Sequence, residues 1–136
     1  MYTCTLALCA ESAIRDAQTN VFSLINIIEE LPTPALPALL AKCTYFFRIE
    51  KEPVDPLIAT FRLVLRNNEH VLSDNNLVVD FENKQATRLV AAANGLIVAN
   101  PGTLTAVLYF GEATLGHWRV PITVGAPMVV ARAAPG

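Results

Sequence analysis

Between Gly102 and Val124 the chain alternates, turns, and alternates again. Leu104, Ala106, Leu108 and Phe110 interleave with Thr105, Val107 and Tyr109; Trp118, Val120, Ile122 and Val124 interleave with His117, Arg119, Pro121 and Thr123. The segment Gly111-Glu112-Ala113-Thr114-Leu115-Gly116 separates the two runs and reads as the turn. Successive side chains of a strand point to opposite faces. Apolar residues at every second position on both sides of a glycine-bounded turn therefore predict an antiparallel hairpin with one buried face. That face needs a second layer to cover it, which points to a small β-sandwich closed by its final hairpin.

Other segments repeat the pattern. Tyr2 to Cys9 reads as a strand with Tyr2, Cys4, Leu6 and Leu8 on one side. Ala10 to Asn20 is polar and reads as a connection, with room for at most one short helical turn near residues 11–17. Val21 to Glu29 is rich in β-branched residues, with a bulge expected where Asn26 interrupts it. Leu31 to Pro37 carries Pro32, Pro34 and Pro37. Each lacks a backbone donor, so this stretch is an extended crossover between sheets rather than a central strand.

Lys42 to Glu50 sends Cys43, Tyr45, Phe47 and Ile49 inward and Lys42, Thr44, Phe46, Arg48 and Glu50 outward. Leu57 to Arg66 sends Leu57, Ala59, Phe61, Leu63 and Leu65 inward and Ile58, Thr60, Arg62, Val64 and Arg66 outward. Joined as a hairpin about residues 51–56, these strands would set Phe46 near Val64 or Arg62. Asn67 to His70 and Ser73 to Asn76 read as turns, Leu77 to Phe81 as a short strand, and Gln85 to Val98 as a strand broken at Gly95. No window sustains a helical period. The class is all-β: an antiparallel two-sheet sandwich of about eight strands. Its core should hold Tyr45, Phe47, Phe61, Leu63, Leu65, Leu108, Trp118, Val120 and Ile122.

A chain of 136 residues fits one domain, here residues 1–125, followed by an apolar, proline-containing tail at 126–136. The net charge of −2 offers no basic footprint, so neither nucleic acid nor an anionic membrane is an expected partner. Charged residues make up 16% of the chain, against about a quarter in typical soluble domains. That shortfall leaves apolar surface, and self-association is the expectation. No basic-then-apolar leader precedes the first strand, and no apolar stretch is long enough for a membrane span. Cys4, Cys9 and Cys43 form no pairwise spacing pattern. Together these predict reduced thiols and a cytoplasmic location, with Cys4 and Cys43 acting as small inward apolar residues.

The residues that carry chemistry are sparse. There is no Gly-x-Ser-x-Gly elbow, no phosphate-cradling glycine loop and no zinc spacing among His70, His117 and the cysteines. No catalytic, cofactor-binding or metal residues are expected, and no enzyme. A thiol–imidazole pair of Cys9 with His70 or His117 has no spacing to support it. Asp74, Asn75, Asn76 and Asp80, with Glu82, could hold calcium through loop carboxylates, but the same residues make a plain turn. Phe46 is the one outward aromatic that could serve as a platform for a sugar.

The order of motifs is also familiar. Cys9-Ala10-Glu11-Ser12-Ala13 follows the first strand, Val21-Phe22-Ser23-Leu24-Ile25-Asn26-Ile27-Ile28 forms the second, and the proline-rich crossover comes next. Asn100-Pro101-Gly102-Thr103, Tyr109-Phe110-Gly111-Glu112 and Trp118-Arg119-Val120-Pro121-Ile122-Thr123-Val124 close the chain. This resembles a family of small, stand-alone bacterial β-sandwich proteins known only as a domain of unknown function. The resemblance implies an immunoglobulin-like or C2-like sandwich and brings no catalytic residues with it.

The function expected from these observations is a non-enzymatic interaction module, either a homo-oligomer or one that binds a protein partner. Its interface would draw on Phe46, Ile58 and Val64 and on the tail residues Met128, Val129 and Val130. The alternative is a module of a bacterial cytoplasmic protein that binds carbohydrate or calcium.

Overall fold

A computed structural model of the protein describes residues 1–125. Its strands are β1 (Thr3–Arg15), β2 (Phe22–Ile27), β3 (Leu31–Thr33), β4 (Ala38–Leu40), β5 (Thr44–Glu50), β6 (Ile58–Asn67), β7 (His70–Asp80), β8 (Ala86–Ala92), β9 (Leu96–Val98), β10 (Gly102–Phe110) and β11 (Ala113–Val124). One sheet runs β2-β1-β5-β8 and the other β3-β11-β10-β6-β7, with a small β4-β9 ribbon beside them. All pairs are antiparallel except β11 with β3. The fold is the expected all-β two-sheet sandwich. The strands beyond the expected eight or so are the three-residue pieces β3, β4 and β9.

Alternation placed the core correctly. All nine residues expected inside are buried, and they form one cluster drawn from both sheets. Tyr45 of the first sheet meets Trp118 of the second edge-on, with centroids 5.3 Å apart. At one end Tyr2 packs on Phe61, Phe81 and Phe110, and its hydroxyl donates to the Pro56 carbonyl at 2.6 Å.

Several sequence expectations are corrected. β1 does not keep one parity: its register with β5 shifts between Cys4 and Leu6. A one-residue shift exchanges the faces of everything beyond it. Ala7 and Cys9 therefore face the core opposite Phe47 and Tyr45, while Leu6 and Leu8 lie outward beside Arg48 and Phe46. The stretch read as a polar connection with room for a helical turn is strand through Arg15, because Ala10 to Arg15 pair with β2. The actual turn is Asp16 to Asn20, whose amide donates to the Asp16 carbonyl at 2.8 Å. The Asp16 carboxylate accepts from the Gln18 and Thr19 amides at 2.8 and 3.2 Å, and those bonds hold its carboxyl below the ordinary carboxylate value. Asn26 interrupts β2 with a left-handed φ of 56° rather than a register shift.

Ser73 to Asn76 form strand, not a turn. They pair with Leu65 to Arg62, and Arg62 grips Asp74 through both carboxylate oxygens at 2.8 and 2.6 Å. Cross-strand pairing overrides the turn preference of the isolated residues. The β10–β11 turn is also tighter than expected. Phe110 pairs with Ala113 across Gly111 and Glu112, and a shift between Leu108 and Tyr109 takes up the slack. The crossover behaves as expected, since β2 lies in one sheet and β3, containing Pro32, is an edge of the other.

Candidate functional site

β5 and β6 are not hairpin partners. They belong to opposite sheets, and residues 51–57 cross between them. The outward residues Phe46 and Val64 therefore cannot share a patch, and each is covered within the chain. Phe46, only 7% exposed, lies beside Leu8 and Val90 under the ring of Phe22, 5.6 Å away. Phe22 reaches it because β1 runs on past β5, so that the β1–β2 arm returns over the sheet's outer face. The Arg88 guanidinium lies over the Phe22 ring, 4.7 Å from its centroid. Val64 is 0% exposed. It lies between Val107 and Asp74, next to Arg62, whose guanidinium is 5.8 Å from the Tyr109 centroid.

Ile58 differs: it is 61% exposed. It lies at the end of β6 beside the edge strand β7, where Val78 is 71% exposed. Met128, Val129 and Val130 lie outside the described residues.

β7 and β8 are the edge strands of the two sheets. They face one another across a groove of about 290 Å³ lined by Leu77 to Asp80 and Arg88 to Val90. Among the described residues each leaves one edge without a strand partner. The other edges are less open. β3 is three residues long and contains Pro32, and β2 is kinked at Asn26. Both are recognised ways of blunting an edge. β8 carries Arg88. β7 spans 11 residues with no proline and no lysine; an irregularity at Leu72 and the charge of Asp74 interrupt its first half, and Leu77 to Val79 form its apolar stretch. Sequence reasoning missed this edge because it divided β7 at Ser73 to Asn76.

Next to the groove, on the outer face of the first sheet, lies an open cleft of about 580 Å³. Arg15, Arg48, Lys84 and Arg88 line it together with Phe22, Asp80 and Glu82. Arg48 is paired with Glu50 at 2.6 Å, whereas Arg88 is held by the aromatic ring rather than by a carboxylate. No motif in the sequence joins these positions, because they come from five separate strands and a loop.

The chemistry weighed from sequence is not assembled. Cys9 is buried against Cys43, and His70 and His117 are exposed, so no thiol–imidazole pair forms. Asp74 and Asp80 lie on one extended strand at about 3.3 Å per residue, roughly 20 Å apart, beyond the reach of a single cation. Asp74 is engaged by Arg62, and Asp80 accepts the Glu82 amide at 2.8 Å. No group of three or more metal-capable His, Cys, Asp or Glu side chains occurs among the described residues. Nor is any helix among them long and apolar enough to cross a membrane.

No protein-family model matches the chain, and no curated protein does. Among solved structures it is similar to an immunoglobulin-like protein of Pseudomonas aeruginosa, with a TM-score of 0.43 and 8% identity over 90% of this chain and 97% of that one. The fold assignment here rests on the strand pairing itself.

Proposed function

We propose that the protein is a non-enzymatic self-association module whose contact surface is the free edge of β7. The observation that carries this is an 11-residue edge strand, unbroken by proline or lysine, with Val78 71% exposed on it. An unpaired edge presents a row of backbone donors and acceptors ready to bind another strand. Apolar side chains beside it add burial worth about 25 cal/mol per Å² before the cost of association. The partner is a second copy, with β7 against β7 about a two-fold axis near Val78, because such a closed contact uses one surface twice and ends there. Ile58 extends the apolar strip on the neighbouring strand.

Amide hydrogen exchange at two protein concentrations tests this. The amides of Leu77 to Asp80 should exchange more slowly in concentrated than in dilute solution, while those of β2 and β8 stay the same. Equal exchange along β7 at both concentrations contradicts the proposal.

The cleft's four basic side chains, which outnumber the carboxylates of Asp80 and Glu82, favour a second reading, a module that binds an anionic ligand between Arg15, Lys84 and Arg88 with Phe22 as an apolar floor. Titration with inorganic phosphate and with an aromatic carboxylate, followed by the amide shifts of those residues, separates it from the first.

A further inference from the structure

Cys9 lies on β1, and Cys43 just before β5, where its carbonyl accepts the Ala93 amide at 2.7 Å. Cys9 stands opposite Tyr45, so Cys43 is its diagonal neighbour on the same inward face. Their sulfurs are 3.1 Å apart, and both residues are wholly buried. Cys4 is kept out of this contact by distance along the sheet, since it pairs with Ile49 at the far end of β5. It packs against β11, where even a methyl group on Gly116 would come within 2.7 Å of its sulfur. The sheet thus selects one thiol pair out of three cysteines.

We propose that Cys9 and Cys43 form a peroxide-oxidisable dithiol, closing to an intramolecular disulfide that ties β1 to the start of β5. Cys43 reacts first. Either sulfur can donate in this contact; with Cys9 as donor, the bond holds the Cys43 thiol below the ordinary cysteine value, while that same bond and then burial push Cys9 up. The Cys43 thiolate attacks one oxygen of a peroxide such as hydrogen peroxide. The O–O bond breaks, the departing oxygen leaves as water with the thiol's proton, and Cys43 becomes a sulfenic acid. The Cys9 sulfur then attacks the Cys43 sulfur, the S–O bond breaks, and a second water carries away the Cys9 proton. Two thiols lose two electrons, and one hydrogen peroxide becomes two waters. Cys43 lies just outside the β5 ladder, where its carbonyl accepts the Ala93 amide at 2.7 Å and its amide donates to the Asn94 side-chain oxygen at 3.4 Å; opening of these two bonds admits the oxidant while both sheets stay formed.

The test uses the native chain. Folded protein is exposed to hydrogen peroxide, quenched, unfolded without reductant, alkylated and mapped by mass spectrometry. The expected result is alkylation at Cys4 alone and a linked Cys9–Cys43 peptide that a dithiol reductant separates. Cys4→Ser should form the same bridge. Three alkylated cysteines, a bridge that includes Cys4, or Cys43 carried on to sulfinic acid without linkage would each overturn the proposal.

Discussion

The ring of Phe22 meets that of Phe46 edge-on, with centroids 5.6 Å apart and planes at 67°. This contact explains why an outward-pointing phenylalanine on a central strand is not surface. The β1–β2 arm supplies a local third layer over the first sheet, and the Arg88 guanidinium packs over the same Phe22 ring. Edge-to-face pairs add about 0.5–1.5 kcal/mol beyond the area they bury. Phe22→Ala should therefore lower stability by roughly 1–3 kcal/mol in urea melts once the lost burial is included. Phe46→Glu should cost more, because it leaves a carboxylate under the arm, and neither substitution should change the protein's mass in solution. Melting behaviour unchanged by Phe22→Ala would mean that the arm does not cover the sheet.

A second prediction concerns Asn67, a polar residue only 1% exposed at the end of β6. Its amide nitrogen donates to the Asn100 and Thr103 carbonyls at 3.0 and 3.3 Å, and its oxygen accepts the Asn100 amide at 3.0 Å. Asn68 continues the clamp by donating to the Pro101 carbonyl and accepting the Thr103 amide, both at 2.9 Å. A side chain at Gly102, where φ is 126°, would collide with that Asn68 oxygen. Removing Asn67 strands buried backbone groups, each worth about 1–3 kcal/mol when left unpaired. Asn67→Ala should lower the denaturant midpoint accordingly with an unchanged slope. A loss below about half a kcal/mol would place these groups in water instead.

The Arg62–Asp74 pair sets a pH dependence. The hydrogen-bonded guanidinium holds the Asp74 carboxyl below the ordinary carboxylate value. A depressed folded-state value means a contribution that is present above the unfolded value, about 3.9, and lost as pH falls through the lower folded value. The pair is solvent-accessible, so the contribution is small and screened by salt. The stability difference between the parent and Asp74→Asn should shrink as pH drops below about 4, and shrink at neutral pH when salt is added. A difference that grows toward acid would reverse the assigned sign.

The sequence was most legible where one face is buried and the other wet. Tyr45, Phe47, Phe61, Leu63 and Trp118 declared their side by alternation alone. It was less legible where a single residue shifts the register. Cys4 stays inward as read, but Cys9 joins it there and Leu6 and Leu8 turn outward, because the irregularity between Cys4 and Leu6 leaves no mark in composition. Asp74, Asn75 and Asn76 looked like a turn because their preference is local, whereas their partners on β6 lie far away in sequence. Phe46 looked like surface because the residue that covers it, Phe22, belongs to another strand. The cleft could not be seen at all, since its cations meet only once the arm folds back.

Sedimentation velocity over a range of protein concentrations, with the parent and Val78→Lys side by side, tests the edge of β7 most directly. A lysine at this exposed position leaves the core untouched and places a charge on the strand, a common natural defence against edge pairing. The parent should sediment as a dimer at tens of micromolar and dissociate on dilution, while Val78→Lys stays a folded monomer throughout. A parent that is monomeric at every concentration, or a Val78→Lys variant that dimerises as the parent does, would contradict the account.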